Sequence, residues 1–352
     1  MRKLNIAIVG LGNIGSYLYK YLNDNKKILT EKNNCLPIVK YVSAKNKNRK
    51  RKIKINKNQW LNNYLDATKF TDVDLIIELI GGAEGPAKKL VFNALKNGKH
   101  VVTANKALIA KYGDQLAKIA ETNKVNLEFE ASVCGGVPII RSLKEGLIAN
   151  KISKIYGILN GTSNYILSSM DKLDKNLEVV LKNAKKLGYA ESDPSADING
   201  DDVSSKLKIL SSLCFNSFLN NNIYVEGIKN IDKTDINNAN KLGYKIKLLG
   251  FAELLNNKIY QRVHPTLIKK DSYVASIDGV LNAVIVEGRP VGQSTIQGEG
   301  AGPEATTSAL ISDISSVLRG NIKFPFSISK KERKKLNFKE ISDRFFSAYL
   351  RF

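Results

Sequence analysis

Five carboxylates and two lysines occur in a short stretch of this chain, LGYAESDPSADINGDDVSSKLKIL, at residues 187–210. The acids fall within twelve residues and are Glu191, Asp193, Asp197, Asp201 and Asp202. Lys206 follows Asp202 by four positions, so the two side chains are neighbours on a helix. Because like charges held this close repel unless a cation or ligand is bound, the stretch is a candidate floor for a site that holds a small amino acid. The alternative for Asp202 and Lys206 is a solvated ion pair contributing ~0.3–0.5 kcal/mol.

Turn residues and a helical repeat would position these groups. Pro194 and Asn199 are turn signals, so residues 191–200 are predicted to form an irregular loop. Asn199 or Asp197 is expected to cap a helix that begins near Gly200. The spacing of apolar residues predicts a buried helical face made of Val203, Leu207, Leu210 and Cys214.

The composition favours a globular protein of two domains, because 352 residues with 43% hydrophobic content can bury a large core. The 55 basic and 33 acidic residues give a net charge of +22, and the lysines are dispersed along the chain. The three cysteines have no disulfide or metal-ligand spacing, which indicates a cytoplasmic protein. No apolar run approaches the ~20 residues that span a bilayer, and the N-terminus lacks the cleavage site of a signal peptide.

A glycine-rich turn near the N-terminus predicts a dinucleotide site. A buried strand at Leu4–Val9 leads into Gly10-Leu11-Gly12-Asn13-Ile14-Gly15 and then into a helical pattern. This is the strand–turn–helix context that the dinucleotide fingerprint requires. The first glycine permits the tight turn, the second lets the pyrophosphate approach the backbone, and the third lets helix and strand pack closely. The phosphates would lie at the helix N-terminus.

The second strand, at Pro37–Ala44, ends without the acid that would bind the ribose hydroxyls of NAD. It is followed by a run of cations at Lys45, Lys47, Arg49, Lys50, Arg51, Lys52 and Lys54. These cations can pair with the additional phosphate of NADP, so the sequence predicts a preference for NADP. A solvated basic loop is the alternative.

Alternating strands and helices continue to residue 130 and predict an α/β fold with an N-terminal Rossmann-type doubly wound parallel sheet. Within it, His100 is expected to begin a strand rather than act as a base, and Val125–Glu130 is expected to be a strand. After Pro138 the pattern changes to that of a second, α+β domain with a mixed sheet. Its predicted helices are 139–149, 164–170 and 176–187, and its predicted strands are 153–159, 259–263, 283–286 and 293–296. A further helix is predicted at 305–318.

Seven motifs, in order along the chain, resemble homoserine dehydrogenase. They are GLGNIG, ELIGG, VVTANKALIA, FEASVCGGVPII, GILNGTSNYIL, LGYAESDPSADINGDDVSSKLKIL and GEGAGPEATTSALISDI. The resemblance implies NAD(P)-linked interconversion of L-homoserine and L-aspartate 4-semialdehyde, in threonine and methionine biosynthesis, by a homodimer. It implies a dinucleotide-binding domain at 1–137, completed by a helix at about 303–325, and a catalytic and dimerisation domain at 138–302.

The resemblance also implies roles for individual residues. Lys206 would be the catalytic proton donor, and Lys106 would contact cofactor and substrate and assist proton transfer. The residues expected to bind the substrate are Glu191, Asp197, Asp202, Gly161, Thr162 and Tyr189. Those expected at the cofactor are Gly10, Gly12, Asn13, Ile14, Gly15, Lys45, Gly81, Thr103, Lys106 and Gly302. A monovalent cation such as Na⁺ is expected at Glu130 and the carbonyls of Val133, Gly135 and Val137, where Cys134 replaces a glycine of many members.

Elementary chemistry agrees with these roles. Reduction of an aldehyde needs a hydride on carbon and a proton on oxygen. A lysine near its reference pKa of about 10.4 is protonated at neutral pH and can donate that proton. Carboxylates would hold the substrate ammonium group, and basic or backbone N–H groups its carboxylate.

The C-terminal region, 327–352, is predicted to be a charged linker, exposed at Ser329–Lys335, and a tail. Residues 341–352 resemble the first strand of the ACT regulatory domain that many relatives carry. One strand cannot form a domain, so we expect no ACT-mediated feedback by threonine.

Two other functions fit parts of the sequence. Cys134 could be the thiol nucleophile of a phosphate-dependent semialdehyde dehydrogenase, but that chemistry needs an activating base, and neither His100 nor His264 is obviously placed. The basic run at 45–54 could belong to an NADP-sensing nucleic-acid binder, although aromatic interleaving and a recognition motif are missing. The predicted partners are therefore a small-molecule substrate and a second copy of the chain, with no nucleic acid and no membrane.

Overall fold

The computed structural model describes residues 1–343 and 347–349, which divide into two compact units. The first unit comprises Met1–Lys144 and Ala301–Arg333, and the second comprises Glu145–Gly300 and the described residues from Lys334 on. In chain order, the strands are β1 Arg2–Val9, β2 Cys35–Ser43, β3 Leu75–Glu78, β4 His100–Thr103, β5 Leu127–Glu128, β6 Lys151–Ile158, β7 Tyr224–Val225, β8 Tyr244–Leu255, β9 Lys258–Lys269, β10 Leu281–Arg289, β11 Gly292–Glu299 and β12 Asn337–Lys339. The α-helices are α1 Asn13–Asp24, α2 Lys26–Asn33, α3 Pro86–Lys96, α4 Lys106–Thr122, α5 Ile139–Arg141, α6 Gly161–Leu173, α7 Leu177–Lys186, α8 Ser195–Ile198, α9 Asp201–Cys214, α10 Lys233–Lys241 and α11 Pro303–Leu318.

The first unit contains a parallel sheet with the strand order β2-β1-β3-β4-β5. Its strands are rich in Ile, Val and Leu because both faces are covered by helices. One core cluster joins β1 and β3 to helices α1 and α11, and its members include Ile6, Ile8, Leu18, Leu22, Leu75, Ile77, Leu310 and Ile314. The strand order reverses between β1 and β3, where ligands of doubly wound sheets bind. The predicted Rossmann-type sheet is confirmed.

The second unit contains a mixed sheet with the order β11-β10-β6-β8-β9-β12, and β7 also pairs with β9. The β10–β11, β10–β6, β6–β8 and β8–β9 pairs are antiparallel, whereas β7 and β12 run parallel to β9. Helices α6, α9 and α10 pack against this sheet. The predicted mixed sheet is therefore confirmed, and its strands are longer than the apolar runs indicated. Strand β8 was not predicted, because Lys245 and Lys247 interrupt its apolar residues.

Two predicted elements around the end of the first unit are shorter or less regular than expected. The helix predicted at 139–149 is one α-helical turn, α5, followed by a π-helical segment at Ser142–Gly146. The strand predicted at Val125–Glu130 is reduced to β5, and a 3₁₀ turn begins at Glu130. The N–H group of Glu130 donates to the buried carboxylate of Asp313, and that of Ile140 donates to the buried carboxylate of Glu130.

The charged segment Ser329–Lys335 is not exposed throughout, because Arg333 is only 4% exposed. Its guanidinium pairs with Asp114 at 2.7 Å and lies 4.2 Å from the Phe326 ring centroid. A buried guanidinium is tolerated when it is paired in this way. Of the predicted tail strand at 341–352, residues 344–346 and 350–352 lie outside the described residues, and Ile341–Asp343 form a 3₁₀ turn.

Candidate active site

The glycine-rich turn has the geometry that the fingerprint predicts. Gly10 adopts φ +112°, and a Cβ there would lie 2.4 Å from the carbonyl oxygen of Leu79. A Cβ on Gly15 would lie 2.0 Å from the carbonyl oxygen of Gly10, so only glycine lets α1 pack this closely on the turn. A Cβ on Gly12 would meet nothing within 4 Å. The turn therefore leaves open space at its second glycine, beside the helix N-terminus at Asn13 and Ile14, and these residues fit a pyrophosphate.

Two side chains hold the backbone at the carboxyl ends of β3 and β4. The buried Glu78 carboxylate accepts hydrogen bonds from the N–H groups of Ile80 at 2.7 Å and Gly81 at 2.9 Å, and from the Thr103 hydroxyl at 2.6 Å. Asn105 caps α4 and donates from its amide to the carbonyl of Gly82 at 2.8 Å.

This network fixes the backbone that carries three predicted cofactor contacts, Gly81, Thr103 and Lys106. Lys106 is the first residue of α4, directly after its cap. Glu78 and Asn105 were not among the predicted site residues, although the motifs ELIGG and VVTANKALIA contain them. A fourth predicted contact, Gly302, stands in the first unit at the N-terminus of α11, with φ +108°.

Lys206 is buried in the second unit, with 8% of its surface exposed. Its ammonium group donates to Asp202 Oδ2 at 2.7 Å and to the carbonyl of Leu159 at 2.6 Å. The predicted helical neighbours are thus in contact, and the alternative of a solvated surface pair is wrong. The predicted buried face of α9, at Val203, Leu207, Leu210 and Cys214, is confirmed.

Asn160 connects the acids of this region and was missed by the sequence analysis. Its side-chain oxygen caps α6 by accepting the N–H of Ser163 at 2.7 Å. Its amide nitrogen therefore points the other way and donates to Asp197 Oδ1 at 2.7 Å and Asp202 Oδ2 at 2.9 Å. Burial raises the pKa of Asp197, and the hydrogen bond from Asn160 opposes that rise. The sequence feature that could have indicated Asn160 is the Asn-Gly-Thr turn at residues 160–162.

The acidic stretch itself departs from two expectations. Residues 191–200 are not wholly irregular, because Ser195–Ile198 forms the short helix α8. Neither Asn199 nor Asp197 caps α9, since its N-cap is Gly200, with φ +87° and no side-chain hydrogen bond. Asp197 instead accepts the amide of Asn160, which brings its carboxylate toward Asp202.

The remaining predicted substrate residues lie at the N-terminus of α6 and on the chain after α7. The hydroxyl of Thr162 donates to the carbonyl of Tyr189 at 2.8 Å, and the Tyr189 ring lies 5.0 Å from that of Tyr165. At Gly161 a Cβ would lie 2.6 Å from the carbonyl oxygen of Val280. Glu191 is exposed, two residues beyond Tyr189.

The predicted cation residues belong to the first unit and include a buried carboxylate, that of Glu130. Glu130 accepts the N–H groups of Ile140 at 2.9 Å and Arg141 at 2.6 Å, one on each oxygen. Burial raises the pKa of Glu130 to about 7. Its carbonyl oxygen accepts the N–H of Val133, and the carbonyl of Val137 accepts the N–H of Ile139. Among the described residues, no group of three His, Cys, Asp or Glu side chains forms a metal site.

Two family profiles match the chain. The profile of the homoserine dehydrogenase NAD-binding domain matches residues 10–130, and that of homoserine dehydrogenase matches residues 138–315. The chain belongs to the homoserine dehydrogenase family. As a homoserine dehydrogenase it is an oxidoreductase with an NAD-binding domain, which confirms the prediction made from its motifs.

Individual homoserine dehydrogenases are similar over most of the chain. The enzyme of Neisseria gonorrhoeae is 42% identical over 91% of this chain and 73% of its own length. That of Bacillus subtilis is 38% identical over 91% of this chain and 74% of its own length. The crystal structure of the Thiobacillus denitrificans enzyme superimposes with a TM-score of 0.92 at 39% identity, covering 96% of this chain and 80% of that chain.

These comparisons lend no support to the two alternative functions. Cys134, the candidate thiol nucleophile, is 2% exposed. The Nδ1 atom of His100 accepts the backbone N–H of Asn126 at the start of β4, which agrees with the predicted role at a strand terminus. Within the part of the chain that the structure describes, every helix is too short or too polar to span a bilayer.

Proposed function

We propose that this homoserine dehydrogenase interconverts L-homoserine and L-aspartate 4-semialdehyde with NADP, and that Lys206 donates the proton during reduction. The observation that carries the assignment is the buried contact of the Lys206 ammonium group with Asp202. A lysine enclosed in this way is held at one position instead of sampling solvent. Such a fixed donor can lie within hydrogen-bond reach of an aldehyde oxygen.

The other substrate residues divide by charge. Glu191 and Asp197 are suited to bind the ammonium group of the amino acid, while Asp202 orients Lys206. Gly161, Thr162 and Tyr189 would line the space for the substrate backbone atoms. Lys106, at the start of α4, would contact both cofactor and substrate and assist proton transfer. NADPH, when bound, supplies the hydride for the aldehyde carbon.

The cofactor preference is supported by the loop after β2. The side chains of Lys45, Lys47, Arg49, Lys50, Lys52 and Lys54 are exposed there. The chain from Ala44 to Lys57 contains no acid to bind the ribose hydroxyls of NAD. Cations near the adenosine ribose favour the cofactor that carries a phosphate on it.

The decisive assay is the oxidation of NADPH or NADH in the presence of L-aspartate 4-semialdehyde, followed by absorbance. We expect turnover with both cofactors and a kcat/KM for NADPH about tenfold or more above that for NADH, equivalent to one strong charge-assisted contact. A higher kcat/KM for NADH would contradict the cofactor assignment but leave the reaction intact. Absence of turnover with either cofactor would contradict the reaction.

The direction of catalysis should set the pH dependence. Oxidation of homoserine requires an unprotonated lysine to accept the hydroxyl proton, and the reference pKa of lysine is about 10.4. We therefore expect the oxidation rate to rise from neutral toward alkaline pH, and the reduction rate not to share that rise. Initial rates in both directions across this range test the expectation. An oxidation rate that stays flat would contradict the role of Lys206.

Three further assignments complete the proposal. A monovalent cation such as Na⁺ would be held by Glu130 and by the backbone carbonyls of Val133, Gly135 and Val137, as the family resemblance implies. We infer a homodimer from the family resemblance. The three free cysteines fit the reducing environment of the cytoplasm.

A further inference from the structure

Arg51 differs from the other cations of the basic loop at residues 45–54. Its side chain is half-buried, while its six cationic neighbours in the loop are exposed. The Nε–H group donates to the carbonyl of Leu11 at 3.0 Å, inside the glycine-rich turn. The remaining bonds go to the loop's own backbone, at the carbonyls of Asn46 (2.7 Å), Lys47 (3.2 Å) and Arg49 (2.9 Å).

The guanidinium group also rests on the structure that follows the loop. Its carbon lies 5.5 Å from the ring centroid of Trp60. Trp60 packs against the core of the first unit and forms a β-bridge with Val42, near the end of β2. One side chain thus joins the glycine-rich turn, the basic loop and the end of β2.

The number of hydrogen-bond donors already used by Arg51 argues against a direct role in phosphate binding. A guanidinium group has five N–H donors, and four hydrogen bonds from Arg51 go to backbone carbonyls. Burial, with a smaller contribution from Arg49, lowers the pKa of Arg51. A group already engaged in this way has little capacity left for a phosphate. Its neighbours Lys45, Lys47 and Arg49 keep exposed side chains on the backbone that Arg51 fixes.

We propose that Arg51 is a positioning residue for cofactor selectivity: it fixes residues 46–49 against Leu11 and so presets the cations that meet the phosphate on the adenosine ribose. This inference rests on the proposed NADP preference. Preorganisation matters because ordering a loop and its long side chains only on binding costs affinity. Arg51 would therefore favour NADPH without binding it.

A pair of charge-conserving variants tests this proposal. Arg51→Lys keeps the charge but removes the planar fork that reaches four carbonyls. Arg319→Lys is the matched control, a charge-conserving change at an exposed arginine of the first unit that lies outside the basic loop. Affinities for NADPH and NADH can be measured by quenching of Trp60, the only tryptophan of the chain, and kcat/KM can be measured for both cofactors.

We expect Arg51→Lys to reduce the NADPH-over-NADH preference about tenfold, and Arg319→Lys to change it less than about twofold. Turnover at saturating NADPH should stay near the wild-type value. Trypsin should also cut the loop of cofactor-free Arg51→Lys faster than that of wild type, since the variant keeps every cleavage site but loses the fold that protects it.

Three results would overturn the proposal. If Arg49→Lys, a change at one of the exposed cations of the loop, loses the preference and Arg51→Lys keeps it, Arg49 recognises the phosphate without help from Arg51. If Arg51→Lys only lowers thermal stability and keeps the preference, Arg51 is merely structural. A wild-type preference for NADH overturns the cofactor assignment and this inference together. That outcome is seen with the wild-type enzyme alone, so it can be told apart from a failure of the Arg51 proposal, which requires the variants. If Arg51→Lys does not fold, Trp60→Leu, which keeps all charges, should reduce the same kinetic ratio.

Discussion

Replacing Lys206 with alanine should reduce turnover by about 10²–10⁴-fold, the range that a positioned proton donor contributes. Affinity for NADPH should change little, because the proposed cofactor residues belong to the first unit and Lys206 to the second. The expected loss arises because no other group replaces the ammonium proton beside the aldehyde oxygen. Steady-state aldehyde reduction and NADPH titration of the same preparation measure the two effects separately.

Two further variants separate catalysis from folding. Lys206→Ala leaves the buried Asp202 carboxylate without its cation, which can reduce stability. Lys206→Arg keeps a cation there, but a guanidinium group does not release its proton, so it should fold and still lose homoserine oxidation. Lys208→Ala, on the same helix, should keep near wild-type turnover. Retention of turnover in Lys206→Ala would exclude this lysine as the proton donor.

Replacing Asn160 with aspartate should reduce kcat/KM about 10²-fold, the kinetic equivalent of roughly 2–3 kcal/mol for hydrogen bonds to charged groups. Aspartate keeps the oxygen that caps α6, because Asp and Asn cap equally well. It replaces the amide that donates to Asp197 and Asp202 with a third carboxylate. The repulsion should displace Asp202 and with it the ammonium group of Lys206.

The pH dependence of kcat/KM in Asn160→Asp tests whether repulsion among the three carboxylates causes the defect. Neighbouring carboxylates raise one another's pKa, so protonation of one of the three should relieve the repulsion. The defect of Asn160→Asp in aldehyde reduction should therefore be smaller at acidic pH than at alkaline pH. Asn160→Ala, which loses the cap as well, should also lose about 1 kcal/mol of stability, measured by thermal unfolding. If Asn160→Asp keeps wild-type kcat/KM, the amide bridge has no catalytic role.

Features that depend on neighbouring residues could be predicted before the structure was known. The strand β1, the glycine turn and helix α1 follow from side-chain periodicity and from the crowding around Gly10 and Gly15. The contact between Asp202 and Lys206 follows from helical geometry, because residues four apart share a face. The family motifs extend this local information over the whole chain, which is why the fold class and enzyme class were correct.

Predictions failed where a segment's environment outweighed its own pattern. Strand β8 was not predicted because its sequence contains lysines, although it lies in the middle of its sheet. One of these lysines, Lys247, is buried and donates hydrogen bonds to Asn164, Ile277 and Asp278. Arg333 was expected in solvent because its neighbours are charged, yet it is buried and paired with the half-buried Asp114. A charged side chain can be buried when the fold provides a partner of opposite charge, so side-chain polarity alone does not establish exposure.

The order of residues alone was enough to predict the glycine turn, the two sheets and the lysine that carries the proposed chemistry. The contacts that hold these groups in place became visible only in the folded chain. Asn160 reaches acids 37 and 42 residues away, and Arg51 reaches the glycine turn across 40 residues. Such contacts depend on how sheets and helices pack, and no periodicity within one segment encodes them, because a hydrogen bond between distant residues forms only after the intervening chain has folded.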